Sequence, residues 1–250
     1  MKCLAVIPAR YASTRFPGKP LVDILGKSMI RRVYEQVSKA TEIDEIVVAT
    51  DNELIFNHVL TFGGKVVITR ADHPTGTDRC AEVAAQFQGT EIVLNVQGDE
   101  PFLQAQQLDQ LVSFLKRNTQ FQITTMAKKL TEVSQVFNPH VVKVVFGKFS
   151  QALYFSRNAI PAVRGAETAN SPNVAEYFKH IGLYAFRRNT LLQLSQLAQS
   201  PLEKAESLEQ LRWLENGYSI GVVLTERETT GIDTPEDLAR LLHQYPGSIV

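Results

Sequence analysis

"CLAVIPARYASTRFPGKP", residues 3–20, is the stretch that decides the fold class. Its first five residues form an unbroken apolar run, the pattern of a strand covered on both faces. The run then stops. Between residues 10 and 20 come Arg10, Arg15 and Lys19, the hydroxyls of Ser13 and Thr14, and the prolines Pro17 and Pro20. A buried strand that empties into a polar, cationic loop is what an open α/β sheet presents at its carboxyl edge, where such sheets bind ligands.

The rest of the N-terminal half keeps that rhythm. EIVVAT (45–50), KVVIT (65–69) and EIVLNV (91–96) are further short apolar runs, read as strands covered on both faces. Between them the apolar residues recur with helical period: Met29, Ile30, Val33 and Val37, then Leu54, Ile55, Val59 and Leu60, with Gly63-Gly64 placed to end the second helix. The alternation predicts an α/β fold, with an open, mostly parallel twisted sheet and flanking helices.

The pattern changes after Asn138. HVVKVVFG and QALYFSR are β-rich runs joined by a polar turn at Lys148 to Ser150, which predicts a hairpin, and KHIGLYAF (179–186) predicts another strand. Residues 161–176 lack periodicity and are expected to form a mobile loop. Ser200-Pro-Leu-Glu offers an N-cap, a proline at the first helical position and a glutamate at the third. The helix it starts is expected to be long, with Leu202, Ala205, Leu208, Leu211 and Leu214 as its buried stripe. Thr234-Pro235-Glu236-Asp237 repeats the device. The expected organisation is one domain over 1–250, with 139–190 as a β-rich insertion.

Composition narrows the function. Of 250 residues, 26 are Lys or Arg and 26 are Asp or Glu, so no general basic surface exists to attract nucleic acid. The cations of the first loop must act locally. Cys3 and Cys80 are isolated thiols, giving neither a disulfide framework nor a metal cluster. No apolar stretch approaches the ~20 residues of a membrane span, and CLAVI is interrupted too early for a signal peptide. A cytoplasmic protein is the expectation.

Arg10, Arg15 and Lys19, spaced five and four residues apart on a proline-bearing loop, can converge on one polyanion. A nucleoside triphosphate, with roughly four negative charges, fits them; a solvated basic surface loop is the plainer alternative. Neither G-x-x-x-x-G-K-[ST] nor G-x-G-x-x-G is present, so side chains must hold the phosphates, and a nicotinamide oxidoreductase is disfavoured. NVQGDEP places Asp99 just past a strand, where Gly98 frees the backbone to turn. GIDTP places Asp233 past another strand and before a capped helix. Position alone leaves both open as ordinary turn and capping residues.

The blocks IPARYASTRFPGKPL, ATDNE, TRADHPTGTDRCAE, NVQGDEP, FNPHVVKVV, ALYFSRNAIP, KHIGLYAF, PLEKAESLEQLRWLENG and GIDTPEDL, in this order, resemble the 3-deoxy-manno-octulosonate (Kdo) cytidylyltransferases, or CMP-Kdo synthetases. The resemblance covers nearly the whole chain and implies a nucleotide-diphospho-sugar transferase-like fold with a β-rich subdomain for dimerisation and sugar binding. It implies transfer of CMP from CTP to Kdo, with release of pyrophosphate, for lipopolysaccharide biosynthesis. The nearest rival is a related enzyme acting on sialic acid or an amino-substituted Kdo; a catalytically idle nucleotide-binding module is the rival of another class.

The same resemblance implies roles for residues. Arg10, Lys19, Asp99 and Asp233 would be catalytic, with Asp99 and Asp233 holding Mg²⁺. Arg10, Arg15, Lys19, Ala71, Thr75, Gly76 and Arg79 would bind the nucleotide, the last four beside the cytosine. In that segment Thr77 is the expected N-cap and His73 a hydrogen-bonding loop residue. Gln97, Arg157, His180, Tyr184, Glu209 and Gln210 would contact the sugar acid. The stretch AVRGAETANSPNV departs from the family pattern and leaves Arg164 as only a candidate contact. Residues 139–160 resemble the dimerisation region, so a homodimer is expected.

Overall fold

The computed structural model describes residues 1–12, 15–164, 175–228 and 231–244, with the side chains of 243 and 244 excepted. Ser13, Thr14, most of the expected 161–176 loop and the tail from 245 lie outside the described residues. The chain divides into two compact units, 1–109 with 229–250, and 110–228.

The first unit is a parallel sheet in the order β6-β1-β4-β5, formed by β1 (Cys3–Ala9), β4 (Glu45–Thr50), β5 (Val66–Ile68) and β6 (Ile92–Asn95). CLAVI is inaccessible from Cys3 to Ile7, as its continuous apolar character demands. A two-residue ribbon, β2 (Asp23–Ile24) with β3 (Lys27–Ser28), leads into α1 (Met29–Val37). Ser28 caps α1, and Met29, Ile30, Val33 and Val37 are all buried, as their spacing predicts. The helix α2 (Glu53–Thr61) corrects its predicted stripe: Ile55 and Val59 are buried, but Leu54 and Leu60 face solvent. It packs on β4 and β5, and β5 is the edge of this sheet, with Ile68 itself half exposed. The expectation of cover on both faces fails for that strand. Gly63, at φ 74°, ends α2 as expected.

The helix α3 (Gly76–Gln86) lies on β1 and β6. Its N-cap is Thr75, not Thr77: the Thr75 hydroxyl accepts from Asp78 N, and the Asp78 carboxylate accepts from Thr75 N. After β6 the chain passes so close to the end of β1 that a Cβ on Gly98 would lie 2.7 Å from the carbonyl oxygen of Pro8. Any side chain there would push the two strand ends apart.

The helix α4 (Ala105–Arg117) carries the chain into the second unit. There β7 (Ile123–Lys129) pairs in parallel with β11 (Ile220–Leu224) and antiparallel with β10 (Phe178–Arg187). The predicted hairpin is present as β8 (Lys143–Phe146) and β9 (Ala152–Ser156). Short helices α5 (Val133–Val136) and α6 (Arg188–Leu194) follow β7 and β10.

The long helix expected from Ser200 is two helices, α7 (Pro201–Glu206) and α8 (Glu209–Glu215). Ser207 separates them in the left-handed region, at φ 52°. The capping box at Ser200 and Glu203 is as predicted. The three-residue stripe holds only in part: Leu208 and Leu211 are buried, but Leu202 and Ala205 are exposed, and Glu203 and Arg212 are buried and paired at 2.7 Å. The last helix, α9 (Pro235–Gln244), returns to the first unit, where Ile232 and Leu241 close an apolar cluster with Ile24 and Met29. No helix among the described residues is long and apolar enough to cross a membrane. Cys3 and Cys80 are both fully buried.

Candidate active site

The loop after β1 is anchored before it reaches its last cation. Gly18, at φ 70°, donates its N–H to Tyr11 O at 3.0 Å and caps a 3₁₀ turn over Lys19–Leu21. That turn sets the start of the Lys19 side chain. The Lys19 ammonium, 14% exposed, lies 2.7 Å from Asp99 Oδ2 and 3.2 Å from Asp233 Oδ1. Arg15 reaches the other oxygen of Asp233 at 3.1 Å. The residues expected to meet at one rim do meet, although they are 80 and 214 positions apart.

Asp233 arrives by a different route from the one its sequence suggests. Among the described residues no strand ends immediately before it, and β11 stops at Leu224. The Ile232 N–H instead donates to Asp99 O at 2.9 Å, which ties the 232–233 segment to the turn that carries Asp99. One backbone hydrogen bond thus joins the segments that carry the two carboxylates.

Around them is a cavity of about 370 Å³ whose wall includes Arg10, Arg15, Lys19, Gly76, Gln97, Asp99 and Asp233. The Arg10 guanidinium is held by the carbonyl oxygen of His73, whose ring pairs with Glu82. Burial lowers the Arg10 pKa and the nearby Arg79 lowers it further, against the pull of Asp51 and Asp78. A partly buried cation repelled by a second cation favours an anion that can enter the cavity.

Gly76 is on the cavity wall, and Ala71 is exposed on the turn before α3. The Thr75 hydroxyl donates to Asp78 at 2.7 Å. Arg79 is fully buried and binds Thr69 and Asp51, the latter at 2.8 Å, so it braces the ends of β5 and β4 from behind. The structure does not bring Arg79 to the wall.

Of the expected sugar contacts, Gln97 lines this cavity, and the others belong to the second unit. His180 and Tyr184 on β10, expected to share a face, lie with ring centroids 5.5 Å apart, a contact made possible by the irregularity of β10 between Ile181 and Tyr184. Tyr184 stands edge-on to Trp213 at 5.0 Å. Burial draws the His180 pKa down to about 3. The Tyr184 phenol is pushed well above its usual range by burial and then by the charge of Glu209. Glu209 opens α8 with Arg212 at 3.5 Å, and Gln210 beside it is buried. Arg157 is turned to the end of α7: its guanidinium donates to Glu206 O at 2.7 Å and to Ser207 O and Pro139 O at 3.3 Å. Its backbone N–H donates to the Glu206 carboxylate.

The sequence reading missed two supporting residues. Arg212 gave no signal, because its partner is a capping-box glutamate nine positions away. Thr125 lies in β7, a strand that the polar run ITTMAKK concealed.

Two carboxylates within 3.2 Å of a single cationic nitrogen are a pair that can also take a divalent ion. Among the described residues no group of three or more acidic, His or Cys side chains is arranged to hold a metal ion. Mg²⁺ suits such a pair, because it commonly takes one or two carboxylates and completes its shell with phosphate oxygens and water.

A parallel α/β sheet whose carboxyl edge sets a cationic loop against paired carboxylates is built for nucleotidyl transfer. The sequence model described as "Cytidylyltransferase" matches residues 4–222, and the chain belongs to that family, within its 3-deoxy-manno-octulosonate branch. It is 50% identical to the 3-deoxy-manno-octulosonate cytidylyltransferase of Cytophaga hutchinsonii over 242 residues, 96% of each chain. It is 51% identical to that of Bacteroides thetaiotaomicron, over 95% of this chain and 96% of the relative. Among solved structures it is similar to CMP:2-keto-3-deoxy-manno-octonic acid synthetase complexed with CTP, at 40% identity, a TM-score of 0.91 and 98% coverage of both chains.

Proposed function

We propose that this nucleotidyltransferase transfers CMP from CTP to Kdo, forming CMP-Kdo and pyrophosphate. The observation that carries the reading is the likeness, over 98% of both chains, to a synthetase of that name complexed with CTP. The cavity at the end of β1 supports it, because its three cations suit a triphosphate.

In the proposed reaction the anomeric hydroxyl oxygen of Kdo forms a bond to the α-phosphorus of CTP. The bond from that phosphorus to the bridging oxygen breaks, pyrophosphate leaves with the electron pair, and the hydroxyl proton is lost. Arg10 and Lys19 bind the β- and γ-phosphates with Arg15 beside them, and they stabilise the charge that develops on pyrophosphate. Asp99 and Asp233 are the residues that would hold Mg²⁺, which when bound supplies charge neutralisation at the phosphates. The groups around Ala71, Thr75 and Gly76 read the base, and Arg79 braces that segment. Gln97, Arg157, His180, Tyr184, Glu209 and Gln210 recognise the sugar acid.

We further propose a cytoplasmic homodimer serving lipopolysaccharide synthesis. The exposed Phe149 and Leu153 of the β8–β9 hairpin support dimerisation there. The substrate is tested by supplying CTP and Mg²⁺ with Kdo, amino-substituted Kdo or sialic acid separately and measuring pyrophosphate. Kdo is expected to give the highest kcat/KM, and a higher value for sialic acid overturns the reading.

A further inference from the structure

His180 and Thr125 meet because β10 slips against β7. Ile181 is paired with Met126 and Tyr184 with Thr125, so Gly182 and Leu183 have no counterpart on β7. The slip brings two carbonyl oxygens of β10 onto one hydroxyl. Thr125 Oγ1 lies 3.1 Å from Ile181 O and 2.9 Å from Leu183 O, while His180 Nε2 lies 2.9 Å from the same Oγ1. Thr125 is fully buried, so no water can rearrange this set.

A hydroxyl has one proton to donate and two lone pairs to accept with. The carbonyls can only accept, so the Thr125 proton belongs to one of them. Were it given to His180, both carbonyl oxygens would face the hydroxyl oxygen with no hydrogen between. Such an arrangement is costly in a buried setting. The imidazole nitrogen must therefore be the donor.

We propose that Thr125 is a positioning residue that fixes His180 as the Nε2–H tautomer, so that His180 meets the sugar acid through Nδ1, accepting from one of its hydroxyls and not pairing with its carboxylate. The substrate half of this statement rests on the function proposed above; the tautomer half does not. Among the described residues Nδ1 has no hydrogen-bond partner. The ring is held by Phe155, edge-on at 5.0 Å, and by Tyr184. Burial keeps the imidazole neutral, in line with an accepting Nδ1.

The test is ¹⁵N NMR of His180 in the full-length protein, paired with kinetics. The wild type is expected to show a protonated, pyrrole-type Nε2 and a pyridine-type Nδ1. Thr125→Val removes the acceptor and is expected to mix the tautomers and raise KM for Kdo about tenfold, the loss of one hydrogen bond, with KM for CTP unchanged. Thr125→Ser is expected to restore both. A protonated Nδ1 in the wild type overturns the proposal, as does an unchanged tautomer in Thr125→Val. If Thr125→Val does not fold, the wild-type and Thr125→Ser spectra decide. An altered tautomer with unchanged KM for Kdo overturns the substrate half. Failure of every Kdo assay overturns the function reading and leaves the spectrum to decide the tautomer.

Discussion

The ammonium of Lys19 answers two carboxylates at once, so removing one carboxylate tests the arrangement with little structural disturbance. Asp99→Asn keeps the shape of the side chain and removes its charge. The partly exposed ion pair it breaks is worth little to folding, within about 1 kcal/mol. Turnover is expected to fall by more than about 100-fold, because stabilisation of developing charge is lost. Steady-state kinetics beside urea unfolding would check both, and wild-type turnover in the variant would refute the metal assignment. His180 carries a second expectation. Its pKa is about 3 in the folded protein, against an ordinary value of 6.5. As pH falls through 6.5 the unfolded chain takes a proton that the folded chain refuses. Stability from this group is therefore complete above 6.5 and is lost toward 3, at about 1.4 kcal/mol per pH unit. Replacing His180 with Asn should flatten that acid limb in urea titrations across this range. The cationic loop was legible from the sequence, because charge out of place beside an apolar run is conspicuous, whereas Asp99 and Asp233 stood out only through the family resemblance, since position alone left both open as turn and capping residues. Thr125 was not, because a buried threonine in a strand looks like any other β-former.

At the scale of elements, legibility followed burial on both faces. β1, β4 and β6 announce themselves as apolar runs, and α1 by four residues on one face, all of them buried. Where an element meets the core along a narrow line, the pattern misleads. α2 rests near the sheet edge and buries only half its apparent stripe. The segment from Ser200 misleads more. Leucine or alanine at every third position from 202 to 214 suggests one helix, but Ser207 adopts φ 52° and breaks it. Glu203 and Arg212 then turn inward beside Leu208 and Leu211, and they satisfy each other. Two substitutions separate the readings. Leu202→Ala should change stability by no more than about 0.5 kcal/mol, since Leu202 is 38% exposed. Leu211→Ala, at a position with no exposure, should cost about 2–5 kcal/mol. Equal losses in urea unfolding would restore the single-helix stripe.

For the whole molecule, the informative fact is that the first unit is built from both ends of the chain. A sequence read from left to right shows GIDTP as a capping motif and little more. Its place beside Asp99 depends on an apolar cluster assembled from Ile24, Met29, Ile232 and Leu241, with Phe16, Phe102, Leu238 and Leu242 packed around it. Such a cluster has no local signature, since its members come from segments some 200 residues apart. It also links folding to chemistry unevenly. Ile232 is adjacent to Asp233, and its N–H holds the Asp99 turn; Leu241 only fills space behind it. Both Ile232→Ala and Leu241→Ala should destabilise the protein by about 2–5 kcal/mol, because both side chains are buried. Their kinetics should differ. At a temperature where both variants remain folded, Leu241→Ala should keep kcat within about twofold of wild type, whereas Ile232→Ala, by loosening the segment that aims Asp233, should lower it about tenfold or more. Equal kcat values in the two variants would mean that the cluster supports the fold alone, and that Asp233 holds its position by its own contacts with Lys19 and Arg15.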